Sequence, residues 1–148
     1  SSGRLSTEKA RQKAEEFLSS LELEELALVS YSDSGTIASF NFAQVQDGAL
    51  RLGSGVKVSV ALDDGSIYSY NGEDYSYEEA ELNWNTDQET AAGQLPENVS
   101  SQGQRRVTIE SEGGRELPCY EFSCVGSQGE SLTIYVNAET GKQCRIDI

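Results

Sequence analysis

Histidine and methionine are missing from this chain of 148 residues, tryptophan occurs once and proline twice. Without histidine, the commonest general base and every Ser-His or Cys-His nucleophile pairing are gone. Three cysteines remain, with no CxxC among them, so zinc and dithiol redox motifs are absent too. No cofactor or metal is expected. Basic residues are scarce: 11 against 25 acids, for a net charge of −14. An acidic surface repels phosphate backbones and anionic headgroups, which argues against nucleic acid and against membrane-surface binding. A basic protein partner, or repulsion that keeps the chain soluble, suits that charge. No apolar run approaches the roughly 20 residues a membrane helix needs. Ser1-Ser2-Gly3-Arg4 leads directly into a polar helix, so any anchor or export signal is expected N-terminal to this chain.

Turns, by contrast, are plentiful: the chain holds 14 glycines. Leu132, Ile134 and Val136 alternate with Thr133, Tyr135 and Asn137, the period of a strand with one buried face. Ala138-Glu139-Thr140-Gly141 breaks the pattern with a glycine where a tight reversal needs positive φ, and Cys144 and Ile146 resume it. This predicts a closing β-hairpin. Val56, Val58, Val60 and Leu62, followed by Asp63-Asp64-Gly65, repeat the design, and each glycine follows its last core valine by five residues. Two copies of one hairpin predict a duplicated module.

The chain in order supports that reading. Ser6 or Thr7 can cap a helix over about residues 6–20, with Ala10, Ala14, Phe17, Leu18 and Leu21 on its inner face. Strands are predicted over Glu25 to Tyr31 and over Thr36 to Val45, the latter with Phe40 and Phe42 on one side. Thr86-Asp87-Gln88-Glu89 reads as a capping box with Thr86 as the cap, starting a short helix that runs through Leu95 until Pro96. Arg106 to Ser111 predicts a strand with Val107 and Ile109 inward. Leu117 to Val125 predicts another, with Tyr120, Phe122 and Cys124 on one face. The expected fold class is α+β: two units, 1–75 and 76–148, each a helix packed on an antiparallel meander, with an acidic, aromatic connector at about 71–85.

Candidate chemistry is thin. Cys119 and Cys124 on one strand would lie about 16 Å apart, too far to bridge. Either could meet Cys144 only in a suitable strand register; as free thiols they would act as small buried hydrophobes. Asp63 with Asp64, or Glu78 with Glu79, could in principle serve a glycosidase, but adjacent acids in turns and connectors are ordinarily solvated surface. Asp33-Ser34-Gly35 and Asp63-Asp64-Gly65 supply oxygens without the spacing of a calcium loop. Tyr68, Tyr70, Tyr75, Tyr77 and Trp84 cluster in a short acidic stretch and are candidate partner contacts, the last four above all, because exposed aromatics among carboxylates are common interface anchors. The competing reading is that they seal the junction between two units.

The closing run Val136-Asn137-Ala138-Glu139-Thr140-Gly141 resembles the PepSY module, whose signature is a strand running into D/N-A-x-T-G. Joined to Pro118-Cys119-Tyr120-Glu121-Phe122, it is similar more specifically to the C-terminal PepSY region of the YpeB spore germination family. Asp64 departs from the pattern, standing where the second unit has Thr140. The resemblance implies a non-catalytic binding or regulatory module in the spore envelope, outside the cytoplasm. It also implies an N-terminal membrane anchor and a protein partner, a cortex-lytic enzyme such as SleB, that the module stabilises or regulates. A protease-inhibitory PepSY module of a cell-envelope protein is the second expectation, and a carboxylate-dependent peptidoglycan hydrolase a distant third.

Overall fold

The computed structural model describes residues 4–23 and 25–148, so the lead-in Ser1-Ser2-Gly3 lies outside the described residues. The fold is mostly sheet, of α+β class, and the chain divides into two units. The first takes in the chain up to Val45 together with Leu52–Glu78; the second comprises Gln46–Arg51 and Glu79–Ile148.

In the first unit, helix α1 (Thr7–Ser20) starts where the sequence predicts, and Ser6 is the cap: its Oγ accepts the Lys9 amide at 3.2 Å. Ala10, Ala14 and Leu18, spaced by four, are buried, so one helical stripe meets the sheet at short range. The strands β1 (Leu26–Asp33), β2 (Ile37–Gln46), β3 (Ala49–Ala61) and β4 (Ile67–Asn71) lie in that order, β1 antiparallel to β2 and β4 antiparallel to β3. Ala38, Phe40 and Phe42 from β2 alternate into the core with Val56, Val58, Val60 and Leu62, as the period-two pattern requires. β3 is longer than its valines suggest, because the glycine-containing stretch before Val56 is also strand.

The second unit departs further from expectation. Helix α2 (Gln88–Ala92) is capped by Asp87, not Thr86: Asp87 Oδ1 accepts the Thr90 amide at 2.8 Å. The two side chains are comparable caps. Thr86 instead spends its main chain on tertiary structure: its amide donates to the Ala138 carbonyl and its own carbonyl accepts the Tyr120 hydroxyl, both at 2.8 Å. The helix also stops at Gly93 rather than running to Leu95, in line with glycine's poor helical propensity.

Strands β5 (Ser100–Glu110), β6 (Glu116–Val125), β7 (Ser131–Asn137) and β8 (Gln143–Asp147) form an antiparallel meander. One pairing breaks the predicted all-antiparallel pattern: Leu50 and Arg51, from the start of β3, pair parallel with Val107 and Thr108 of β5. Such a pairing needs a long crossover, which no local signal announces.

The core of this unit gathers Ala91 with Tyr120, Phe122 and Cys124 of β6 and Ile134 and Val136 of β7. Val107 and Ile109 are buried as predicted, but by register they share the opposite sheet face with Cys119 and Glu121. The closing hairpin forms, and Gly141 and Gly65 both stand at φ +77°, the left-handed geometry that the turn demands. The hairpin's return strand does not keep the alternation expected of Cys144 and Ile146: Ile146 stands opposite Ile134, whereas Cys144 is the extra residue of a bulge.

Candidate interaction surface

Two glutamine side chains fix the start of the acidic connector. In the first unit, Gln44 Nε2 donates to the Ser76 carbonyl at 2.8 Å and its Oε1 accepts the Ser76 amide at 3.1 Å; Ser54 Oγ also donates to that Oε1. In the second unit, Gln46 repeats the arrangement on Ala80, with bonds of 2.7 and 2.8 Å. A carboxamide presents one donor and one acceptor, the same pair that a neighbouring strand would offer. The main chains of Ser76 and Ala80 are thereby satisfied without a neighbouring strand.

That anchoring decides where the four candidate aromatics stand. Tyr75 is 8% exposed and belongs to the core of the first unit, whereas Tyr77 is 86% exposed. The two rings meet edge-on with centroids 4.8 Å apart, so the buried one supports the exposed one. Tyr70, on β4, is partly exposed and packs edge-on to Phe17 of α1 at 5.5 Å. Burial, followed by the nearby phenols of Tyr77 and Tyr75, pushes the Tyr70 phenol above its ordinary pKa. Tyr68, two residues earlier on β4, is 65% exposed. Glu73, Asp74 and Glu78 are exposed in the same stretch. The first unit therefore presents phenols at 68, 70 and 77 among carboxylates; the sequence places Tyr68 in the aromatic cluster but not among the four foremost contacts.

Trp84 sits in the second unit. Its ring packs edge-on to Tyr120 at 5.6 Å, and the Arg106 guanidinium lies over it at 4.0 Å, a cation–π contact. Arg106 Nη1 also donates to the Asp47 carbonyl at 3.0 Å. Beside this lies a polar groove of about 370 Å³ lined by Ala80, Glu81, Asn83, Arg115 and Glu116. Two of its charges are already engaged: Arg115 pairs with Glu139 at 2.6 Å, and Glu116 accepts from Arg51 at 2.7 and 2.9 Å.

Two of the candidate acids, Asp64 and Asp33, are engaged in turns. Asp64 Oδ1 accepts the Ser66 amide at 2.9 Å and the Ser66 hydroxyl at 2.7 Å, which holds the carboxyl below its ordinary pKa. Asp33 accepts the Gly35 amide at 2.8 Å and is lowered likewise, chiefly by that bond and by Thr7. A general acid needs the opposite shift. Among the described residues no three Asp, Glu or Cys side chains gather closely enough to hold a metal ion, and no helix is long and apolar enough to cross a membrane.

The family model for the YpeB sporulation protein, PepSY1 and PepSY2 domains, matches residues 1–85. The chain belongs to the YpeB family. A second model, the peptidase propeptide and YPEB domain, matches residues 98–146. The sporulation protein YpeB of Halalkalibacterium halodurans is 31% identical over 97% of this chain, and that of Oceanobacillus iheyensis 24% identical over 95%. The chain spans 32% of the length of each. The solved C-terminal domain of Bacillus megaterium YpeB superposes with a TM-score of 0.77 at 23% identity, over 99% of this chain and 66% of that one, which establishes the shared fold. YpeB membership ties the chain to sporulation. The D/N-A-x-T-G hairpin and the Cys-Tyr-Glu-Phe run, the carriers of the resemblance, are the turn and the inner strand of the second core.

Proposed function

We propose that this chain is a non-catalytic binding and regulatory module of two PepSY-like units. It acts outside the cytoplasm in the spore envelope, tethered by an anchor N-terminal to it, and stabilises or regulates a cortex-lytic enzyme. The observation that carries the binding role is the set of exposed phenols of the first unit among carboxylates: Tyr68 and Tyr70 on β4 and Tyr77 on the backbone-anchored connector. Large rigid aromatics cost little entropy to immobilise and supply most of the energy at interfaces where they are found. The net charge of −14 favours a basic patch on the partner. Tyr68, Tyr70 and Tyr77 are the contacts in this reading, with Tyr75 supporting Tyr77 and Trp84 shaping the connector beyond it.

The test is a spore carrying Tyr77→Ala together with Tyr68→Ser. Both side chains are exposed, so thermal stability of the purified variant should match wild type while the cortex-lytic enzyme in dormant spores falls. An unchanged enzyme level, at normal variant abundance, overturns the role of this surface. The match to the peptidase propeptide and YPEB domain favours a second reading, inhibition of an envelope protease. It predicts slower substrate cleavage when the purified chain is added to that protease, and an unchanged rate removes it.

A further inference from the structure

Cys119 and Cys144 lie on the same face of the second unit's sheet, their sulfurs 4.0 Å apart and unbonded. The register explains the meeting. Cys119 is opposite Asn137 at the end of β7, and Val136 and Tyr135 pair with Gln143 and Arg145, leaving Cys144 as the extra residue of a bulge. A bulge re-aims the side chain it carries. Here it turns Cys144 over the end of β7 toward β6. Cys124 is excluded: it faces the helix-side core, its thiol directed at the Phe122 carbonyl.

The two sulfurs differ in access and in acidity. Cys119 is fully buried, while Cys144 is exposed on an edge strand whose five residues are all exposed. The hydrogen bond between the two thiols, with Arg145 alongside, lowers the Cys144 thiol to about 7, and the same bond together with burial pushes Cys119 well up. Tyr135, Glu139 and Asp147 are the other charged or titratable groups facing the pair and Arg145. Of the pair, Cys144 is the more acidic thiol and lies on the more exposed residue, so it is the one placed to react first.

We propose that Cys119 and Cys144 form a reversible disulfide, closed by exchange with an external low-molecular-weight disulfide, that ties edge strand β8 to inner strand β6. In the first step the Cys144 thiolate attacks one sulfur of the external disulfide; its S–S bond breaks, a mixed disulfide forms and one thiolate leaves and takes up a proton. In the second, the Cys119 sulfur attacks Cys144 Sγ, the mixed S–S bond breaks, and the departing thiolate takes up the Cys119 proton. Two protein S–H bonds are lost and one S–S bond is made, and the two electrons reside on the external disulfide, now two thiols. The gap of 4.0 Å is about twice a disulfide bond length, and the strand that must shift to close it is the exposed edge. The inference is independent of the partner proposal, because the chemistry is read on the purified chain.

The experiment incubates the full chain with oxidised glutathione and maps the product by peptide mass. The expected product is an intramolecular Cys119–Cys144 link with two hydrogens lost, Cys124 still alkylatable, full reversal by dithiothreitol and slower amide exchange along β8. Cys124→Ser should close as wild type does; Cys144→Ser should not react, and Cys119→Ser should stop at the glutathione adduct. Because Cys119→Ser alters a buried position, Cys144→Ser at the exposed strand is the deciding variant. A stable glutathione adduct on wild-type Cys144, a disulfide-linked dimer, a Cys124 link or no reaction would each overturn the proposal.

Discussion

Glu116→Ala is the substitution that most directly tests how the second unit holds the start of β3. Arg51 is 4% exposed, yet it carries a charge that must be met. The Glu116 carboxylate meets it through two guanidinium donors, Nη2 at 2.7 Å and Nε at 2.9 Å, while Thr108 Oγ1 adds a third donor at 2.6 Å. Removing one member of a fully buried pair costs about 3–5 kcal/mol. The Glu116 side chain keeps 20% of its surface in water, so solvent recovers part of that and about 2–3 kcal/mol is expected. For a chain of this length that is a fall in midpoint of about 5–10 °C.

The assay is urea unfolding followed by tryptophan fluorescence, because Trp84 is the sole tryptophan and belongs to the second unit. Glu116→Gln, which keeps the volume and one acceptor, should cost about half as much. Arg51→Met combined with Glu116→Leu should recover most of the loss, since no buried charge is then left behind. The pH dependence has a definite sign. The Arg51 donors, helped by Thr108, hold the Glu116 carboxyl below its ordinary value of 4.5. The contribution is thus fully present above 4.5 and fades as pH falls through the lowered folded value, where wild type and Glu116→Gln should converge. A cost below about 0.5 kcal/mol for Glu116→Ala at neutral pH, or a double variant no better than the sum of the singles, would refute the buried-pair account.

Two further outcomes follow from the geometry. Asp87→Ala should destabilise the second unit by about 1 kcal/mol in the same fluorescence assay, and Thr86→Val by less, because only Asp87 caps α2 with its side chain; the reverse order would restore the capping-box assignment. Gly55→Ala should unfold or severely destabilise the first unit as read by near-UV circular dichroism. An added methyl would meet the Phe42 carbonyl oxygen at 2.0 Å, a main-chain atom that cannot move aside, and a folded variant of wild-type stability would refute that reading.

What was legible in the sequence is what repeats locally. The valine alternation gave β3's core face, Ser6 announced α1, and the two turn glycines marked both hairpins. What was not legible depended on partners far away in sequence. Thr86 and Asp87 are comparable caps taken alone; the Tyr120 hydroxyl and Ala138 carbonyl, which occupy Thr86's main chain, decide between them. The start of β3 reads as a glycine-rich loop until its parallel neighbour is known, since Leu50 and Val107 are paired across a long crossover. At the candidate surface, composition located the aromatics but not their burial, because nothing local distinguishes Tyr75 from Tyr77. One signal was available and unused: Cys119 and Cys124 are an odd number apart on a strand, which puts them on opposite faces and leaves only Cys119 able to meet a thiol on the outer one.

The glutamine clamps at Ser76 and Ala80 separate two kinds of constraint. Both grip the connector by its amides and carbonyls, and both leave its side chains out of the bargain. A segment held this way can change its surface chemistry by substitution at Tyr77, Glu78 or Glu79 while Gln44 and Gln46 keep its path. Drift in partner preference would then be concentrated in this short run, and drift in fold at two positions on β2.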